Sequence, residues 1–278
     1  MTKAEKKWVK ASLLKEFREI FMRKEEKPVM LIWAEYAEIR VEGNPKQDPI
    51  RYWTEEKERK ISEEVKKLEG VGILEDSNSP WRSEWVLVVK SNGGIRPTTD
   101  YRNTVNKSAI FDAFPTSRID EQRRKMAGCD LYTTVDVASA FFHVGITIDS
   151  REPTAVRTPG NLKQFTRAPQ GASVSGAMLA RAISNTIMKD MEKKVKERTA
   201  IYVDEFMVGG KKNGEKKEES AERIMSHCKD VVELFKLFKK YGYRISMDKI
   251  NIAKEELRLP RSYCSRLWNA RSRRPSLR

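Results

Sequence analysis

Cysteine is scarce in this chain. Only Cys129, Cys228 and Cys264 occur, an odd number with no metal or redox spacing. That argues against a disulfide-built scaffold, and a reduced intracellular compartment, cytoplasmic or nuclear, fits best. No run approaches the roughly 18 apolar residues that a membrane-spanning helix needs, so no membrane partner is expected. The N-terminus, MTKAEKKWVK, lacks the apolar core of a secretory signal. No segment repeats internally. Acids are the other shortage: 40 Asp and Glu face 55 Lys and Arg, leaving a net charge of +15. With a pI near 9.6, this favours a polyanionic partner, nucleic acid before anionic membrane. A solvated, lysine-rich surface would carry the same charge.

What is present suits a folded protein. The 278 residues are 39% hydrophobic and 9% aromatic, enough for one large or two medium domains with a real core. Residues 1–27 read as an amphipathic helix with Leu13, Phe17, Ile20 and Phe21 on one face. Residues 41–51 are turn-rich. Thr54, three acids in the next turn and Gly70 delimit a second helix. Trp85–Val89 and Ile95–Thr99 predict a hairpin around a Ser91–Gly94 turn. A short helix at 118–128 precedes a strand at Leu131–Val135 that ends on Asp136. A further strand is predicted at Val144–Ile148, a loop at Arg157–Gly160, a short strand at Phe165–Ala168 and a break at Pro169–Gly171. A single long helix is predicted over 173–195, and a charged loop over Lys211–Lys217. Then come a helix over Glu219–Tyr241, buried through Val231, Val232, Leu234, Phe235 and Phe238, and a strand at Tyr243–Met247. This order predicts an α+β layer sandwich. Residues 257–278 are rich in arginine and predict a disordered basic tail.

The most informative stretch is Ile201–Gly210, IYVDEFMVGG. β-Branched and aromatic residues flank Asp204 and Glu205, which fall where a hairpin would turn. Two carboxylates there are either turn filler or part of a metal site, and a third acid would have to arrive from elsewhere. Asp136, at the end of an apolar strand, is by itself as well read as a turn residue.

Six segments in order carry a resemblance. GILEDSNSPWRSEWVLVVK, IRPTTDYRNTVNK, FPTSRIDE, TVDVASAFFHV, RAPQG and YVDE together resemble the reverse transcriptase domain of gypsy-type LTR retrotransposons and retroviruses. The likeness runs from about Leu13 to Ile252. It implies the palm and fingers of a right-hand polymerase, an antiparallel sheet packed on helices with the thumb largely missing. On this reading 1–40 is an N-terminal helical linker and 41–135 mainly fingers. Residues 136–256 are mainly palm, with fingers residues interleaved near 150–170.

The implied reaction is RNA-directed DNA synthesis: a primer 3′-hydroxyl attacks the α-phosphate of a dNTP with the help of two Mg²⁺ or Mn²⁺ ions. Hard cations take oxygen ligands and keep several waters, so a few carboxylates suffice. The resemblance assigns metal binding to Asp136, Asp204 and the Val137 carbonyl, and catalytic roles to these acids, Glu205 and Lys249, the last as proton donor to pyrophosphate. It assigns the dNTP to Lys90, Arg96, Val137, Phe141, Gln170 and Gly171, with Phe141 as the gate against a ribose 2′-hydroxyl and Phe142 as a core neighbour. It assigns primer and template to Tyr202, Val203 and Pro169. The implied partners are an RNA or DNA template–primer, dNTPs and other segments of a pol polyprotein, and the implied setting is a cytoplasmic virus-like particle or the nucleus.

Three departures stand out. Glu205 replaces the family's second aspartate, which moves its carboxylate by about one C–C bond, ~1.5 Å. Misplacement of about 1 Å can cost ~100-fold, so weakened or lost activity is expected. Val174-Ser175-Gly176 replaces the usual Asn-Ala/Ser-Pro, and Asp100–Asn106 carries one extra residue. The likeness fades after Ile252, which reads as a decayed or incomplete copy. The alternatives are a catalytically impaired nucleic-acid-binding remnant, an RNA-templated RNA polymerase and an unfolded pseudogene product.

Overall fold

A computed structural model describes residues 11–22, 36–89, 95–115, 118–211 and 218–254. The first half of the chain forms β1 (Phe21–Met22), α1 (Glu55–Glu69), β2 (Leu74–Asp76), β3 (Glu84–Val89), β4 (Ile95–Asp100), α2 (Val105–Ser108), α3 (Ile119–Met126) and β5 (Cys129–Asp136). The second half forms β6 (Val156–Thr158), β7 (Asn161–Phe165), α4 (Ser175–Asn185), α5 (Ile187–Asp190), α6 (Lys193–Lys196), β8 (Thr199–Tyr202), β9 (Glu205–Lys211), α7 (Glu218–Tyr241), β10 (Ile245–Ser246) and β11 (Asn251–Lys254).

The central sheet has four strands in the order β11-β5-β9-β8. β5 alternates strictly between buried and half-buried residues, as a strand with one covered face must. Helix α7 covers that face: Phe206 meets Phe238 edge-on at 5.0 Å, and Val231, Leu234 and Phe235 complete the contact. Val232, expected to be buried, is only half-buried, while Leu237 and Tyr241 are buried instead.

A smaller layer carries the expected hairpin. β3 pairs with β4 antiparallel, and a separate sheet has the order β2-β7-β6. Arg157 of β6 joins the two by donating to the fully buried Glu84 carboxylate at 2.6 and 2.9 Å. Helix α1 packs on this layer through Ile61, Val65 and Leu68, one face at helical spacing. The Thr54 hydroxyl caps it by accepting from the Lys57 amide. Gly70 ends the helix in a right-handed conformation, and Gly72 takes the left-handed one with φ +67°.

Several expectations are corrected. Residues 11–16 are helical, a tight turn follows at Arg18–Ile20, and β1 pairs in parallel with β10. Phe17 and Phe21 are buried against Phe235, so residues 11–22 pack on the core, while 1–10 and 23–35 of the expected linker lie outside the described residues. The boundary at 135/136 cuts β5, whose ladder with β9 runs from Cys129 to Asp136. Residues 144–148 make single bridges instead of a strand, and 157–160 lie in the β6–β7 hairpin, with Gly160 at φ +86° in its turn. The strand placed at 165–168 ends at Phe165. The helix predicted over 173–195 breaks at Thr186, whose hydroxyl donates to the Ala182 carbonyl and pairs with the Tyr243 hydroxyl. β11 was not foreseen. Ser91–Gly94, the loop at 212–217 and the tail at 257–278 lie outside the described residues. Among the described residues, no helix is long and apolar enough to cross a membrane.

Candidate active site

β8 and β9 form a hairpin closed by two residues, Val203 and Asp204, with Tyr202 facing Glu205. Only Asp204 therefore sits in the turn; Glu205 is the first residue of the returning strand. Val203 adopts φ +57°, a conformation that strains a β-branched side chain. β5 lies antiparallel to β9 with Asp136 opposite Glu205. Beyond the ladder, the Val137 amide donates to the Asp204 carbonyl at 2.8 Å, fastening the end of β5 to the turn. Sheet register thus brings the two aspartates to one edge.

Lys249, just after β10, donates to both oxygens of Asp136 at 2.9 and 3.0 Å. Burial, and then the Asp136 charge, raise the pKa of Asp204. Burial, then Asp136 and Asp204, push Glu205 up to about 7, against an opposing pull from Lys249. The three acids therefore crowd one another, and an added cation would relieve them. Among the described residues, no three His, Cys, Asp or Glu side chains converge as a metal cage. Asp136 and Asp204 with a backbone carbonyl still suit a Mg²⁺-type ion, which retains most of its water.

Asp136, Asp204 and Lys249, but not Glu205, open onto a cleft of about 600 Å³ that Val137, Phe141, Gln170 and Gly171 also line. Phe141 is half-buried at the cleft, while Phe142 is buried and stacks on Phe165 at 6.1 Å. Gly171 has φ +102°, and a Cβ there would lie 2.5 Å from the Thr99 carbonyl oxygen, so the loop needs glycine to approach β4. Pro169 is buried, with its carbonyl accepting from the Ser175 hydroxyl at 2.7 Å, so it forms a structural corner and does not line the cleft. Tyr202 and Val203 line a second, more apolar groove of about 380 Å³. The backbone of Arg96 pairs with Val88 across the β3–β4 ladder, and Lys90 lies outside the described residues.

Sequence reasoning missed four residues. Thr98 and Thr99 of β4 form part of the cleft wall. The Asn106 carboxamide clamps the loop after Gln170, donating to the Gly171 carbonyl at 3.0 Å and accepting from the Ser173 amide at 2.8 Å. Its only signal was membership of the quoted IRPTTDYRNTVNK segment. Gln122 of α3 accepts from the Ile201 amide at 2.9 Å, and nothing in the sequence pointed to it.

A family profile described as "Reverse transcriptase (RNA-dependent DNA polymerase)" matches residues 88–260. The retrovirus-related Pol polyprotein from transposon 297 of Drosophila melanogaster is 23% identical over 204 residues, 72% of this chain and 18% of that protein. The corresponding polyprotein from transposon gypsy, also of Drosophila melanogaster, is 24% identical over 203 residues, 71% of this chain and 18% of its own length. Among solved structures, the foamy viral protease–reverse transcriptase dRH in complex with double-stranded DNA superposes with a TM-score of 0.75 at 21% identity. That match covers 93% of this chain and 42% of the viral one. The foamy viral protease–reverse transcriptase in complex with an RNA/DNA hybrid also gives 0.75, at 20% identity, over 93% and 32%. The fold is that of a polymerase palm with fingers. The chain spans less than a fifth of the transposon polyproteins it matches.

Proposed function

The chain belongs to the reverse transcriptase (RNA-dependent DNA polymerase) family, and from that premise we propose that it extends a primer on an RNA or DNA template with dNTPs. One observation carries this reading: Val137 and Asp204 are hydrogen-bonded, so Asp136 and Asp204 share one edge of the cleft. Two divalent ions, held by Asp136, Asp204 and the Val137 carbonyl, would lower the pKa of the primer hydroxyl and stabilise the departing pyrophosphate. The half-buried Phe141 ring forms the wall on which a ribose 2′-hydroxyl would collide. Gln170 and Gly171 supply the surface for the nascent base pair, and Tyr202 and Val203 lie at the turn where a primer end would rest. Lys249, already on Asp136, would give a proton to the leaving group. Arg96 and Lys90 would grip the triphosphate from the fingers, Arg as a fork and Lys as a point charge.

Primer extension on a primed homopolymer RNA, with Asp204→Asn as control, tests the reading. Wild type should extend the primer and the variant should not; equal signals from both would sink it. A second reading, a nucleic-acid binder without turnover, draws on Glu205. Its side chain is longer than aspartate, and burial with the Asp136 and Asp204 charges pushes its pKa up to about 7. Activity gained by Glu205→Asp would favour the polymerase, whereas persistent RNA binding without extension would favour the binder.

A further inference from the structure

β8 is an edge strand of the central sheet, and an edge leaves every second amide without a ladder partner. In a two-residue hairpin closed by the Tyr202–Glu205 pair, the Ile201 amide is the outward-facing donor next to the turn. It does not face water. Helix α3 lies alongside, and its Gln122, 3% exposed, accepts that hydrogen at 2.9 Å through its side-chain oxygen. Met126, one helical turn further along α3, packs with Ala200 and Met207 in a small cluster of their own, with Tyr132 and Tyr202 against it. Helix α3 thus grips the hairpin by one polar hook and one apolar contact.

The turn needs such a grip. Val203 sits at φ +57°, a strained conformation for a β-branched residue that persists only where the surroundings impose it. The hydrogen bond from Val137 to Asp204 restrains one flank of the turn, and the bond from Ile201 to Gln122 restrains the other. We propose that Gln122 is a positioning residue for Asp204: it holds the edge strand so that the strained turn presents this carboxylate beside Asp136. The inference rests on the polymerase reading for the purpose of that placement, but the hook itself is independent of it.

Two substitutions separate the hook from bulk. Gln122→Met keeps the length and removes the acceptor, whereas Gln122→Glu keeps an acceptor oxygen in a groove that Lys125 and Lys196 also line. Mn²⁺ binding to the full chain, followed by the electron paramagnetic resonance of the free ion, should weaken about tenfold in Gln122→Met. Gln122→Glu should restore it to within about twofold of wild type. Amide hydrogen exchange at 201–205 should quicken about tenfold in Gln122→Met relative to the amides of α7. Unchanged Mn²⁺ affinity and exchange in Gln122→Met would overturn the proposal, even with a lowered melting temperature. So would a Gln122→Glu variant as impaired as Gln122→Met. If wild type binds no Mn²⁺, the polymerase reading fails, and exchange at 201–205 alone then decides whether the hook exists.

Discussion

Lys249 holds both oxygens of Asp136, and its side chain is 63% exposed. A pair this open contributes at most ~1 kcal/mol, yet any cation that binds Asp136 must compete with it. Lys249→Met should therefore tighten Mn²⁺ binding by up to about fivefold while slowing primer extension. Weaker Mn²⁺ binding in that variant would refute the competition. His143 presents a different residue-scale test. It is buried, accepts from the Arg244 amide at 3.1 Å and stacks on Tyr243. Burial lowers its pKa from 6.5 to about 4, and the same cause lowers His227 to about 4. Between those values the unfolded chain binds more protons than the folded one, so stability holds above pH 6.5 and is lost as pH falls towards 4. Each histidine contributes on the order of 3 kcal/mol to that loss. Thermal melts from pH 7 to 4.5 should show a steep decline, made shallower by His143→Gln, which keeps an acceptor without titrating. A flat profile would contradict this.

At the scale of elements, the β8–β9 hairpin combines a strained turn with the carboxylates of the proposed site. Two-residue hairpin turns favour glycine where φ is positive, and Val203 is 44% exposed, so its side chain contributes little packing. Val203→Gly should raise the unfolding free energy by about 0.5–1 kcal/mol, the relieved strain exceeding the added chain entropy. A lower denaturation midpoint in urea would show that the strain is absent. Elsewhere, elements followed local signals where those were complete. Thr54 with its acids defined α1, and the alternation through Val135 defined β5. Local signals misled where a tertiary bond intervened. Thr186 sits in a sequence that reads as continuous helix, and the partner of its hydroxyl, Tyr243, is 57 residues away.

For the whole molecule, the net charge of +15 implies an ion-exchange character in nucleic-acid binding. Affinity for a primed RNA should fall by roughly two orders of magnitude or more between 50 and 200 mM salt, linearly on a log–log scale, as counterion release requires. Salt-independent retention would mean that the basic residues serve the surface alone. Charge and the apolar periods of β5 and α7 pointed to a polyanionic partner and an α+β class, while the resemblance carried by the ordered motifs from 72 to 205 pointed to the family, which the profile match bears out. The same resemblance singled out Asp136 and Asp204, which the structure brings to one edge of the cleft. Tertiary structure alone decided that Asp204 lies in the turn and Glu205 in the strand, that Pro169 is a buried corner, and that Phe17 and Phe21 belong to the core. It also decided that Asn106 holds the loop after Gln170 and that Gln122 holds the edge strand β8. The reason is physical: register and side-chain hooks depend on partners distant in the chain, and no local pattern of residues encodes a distance.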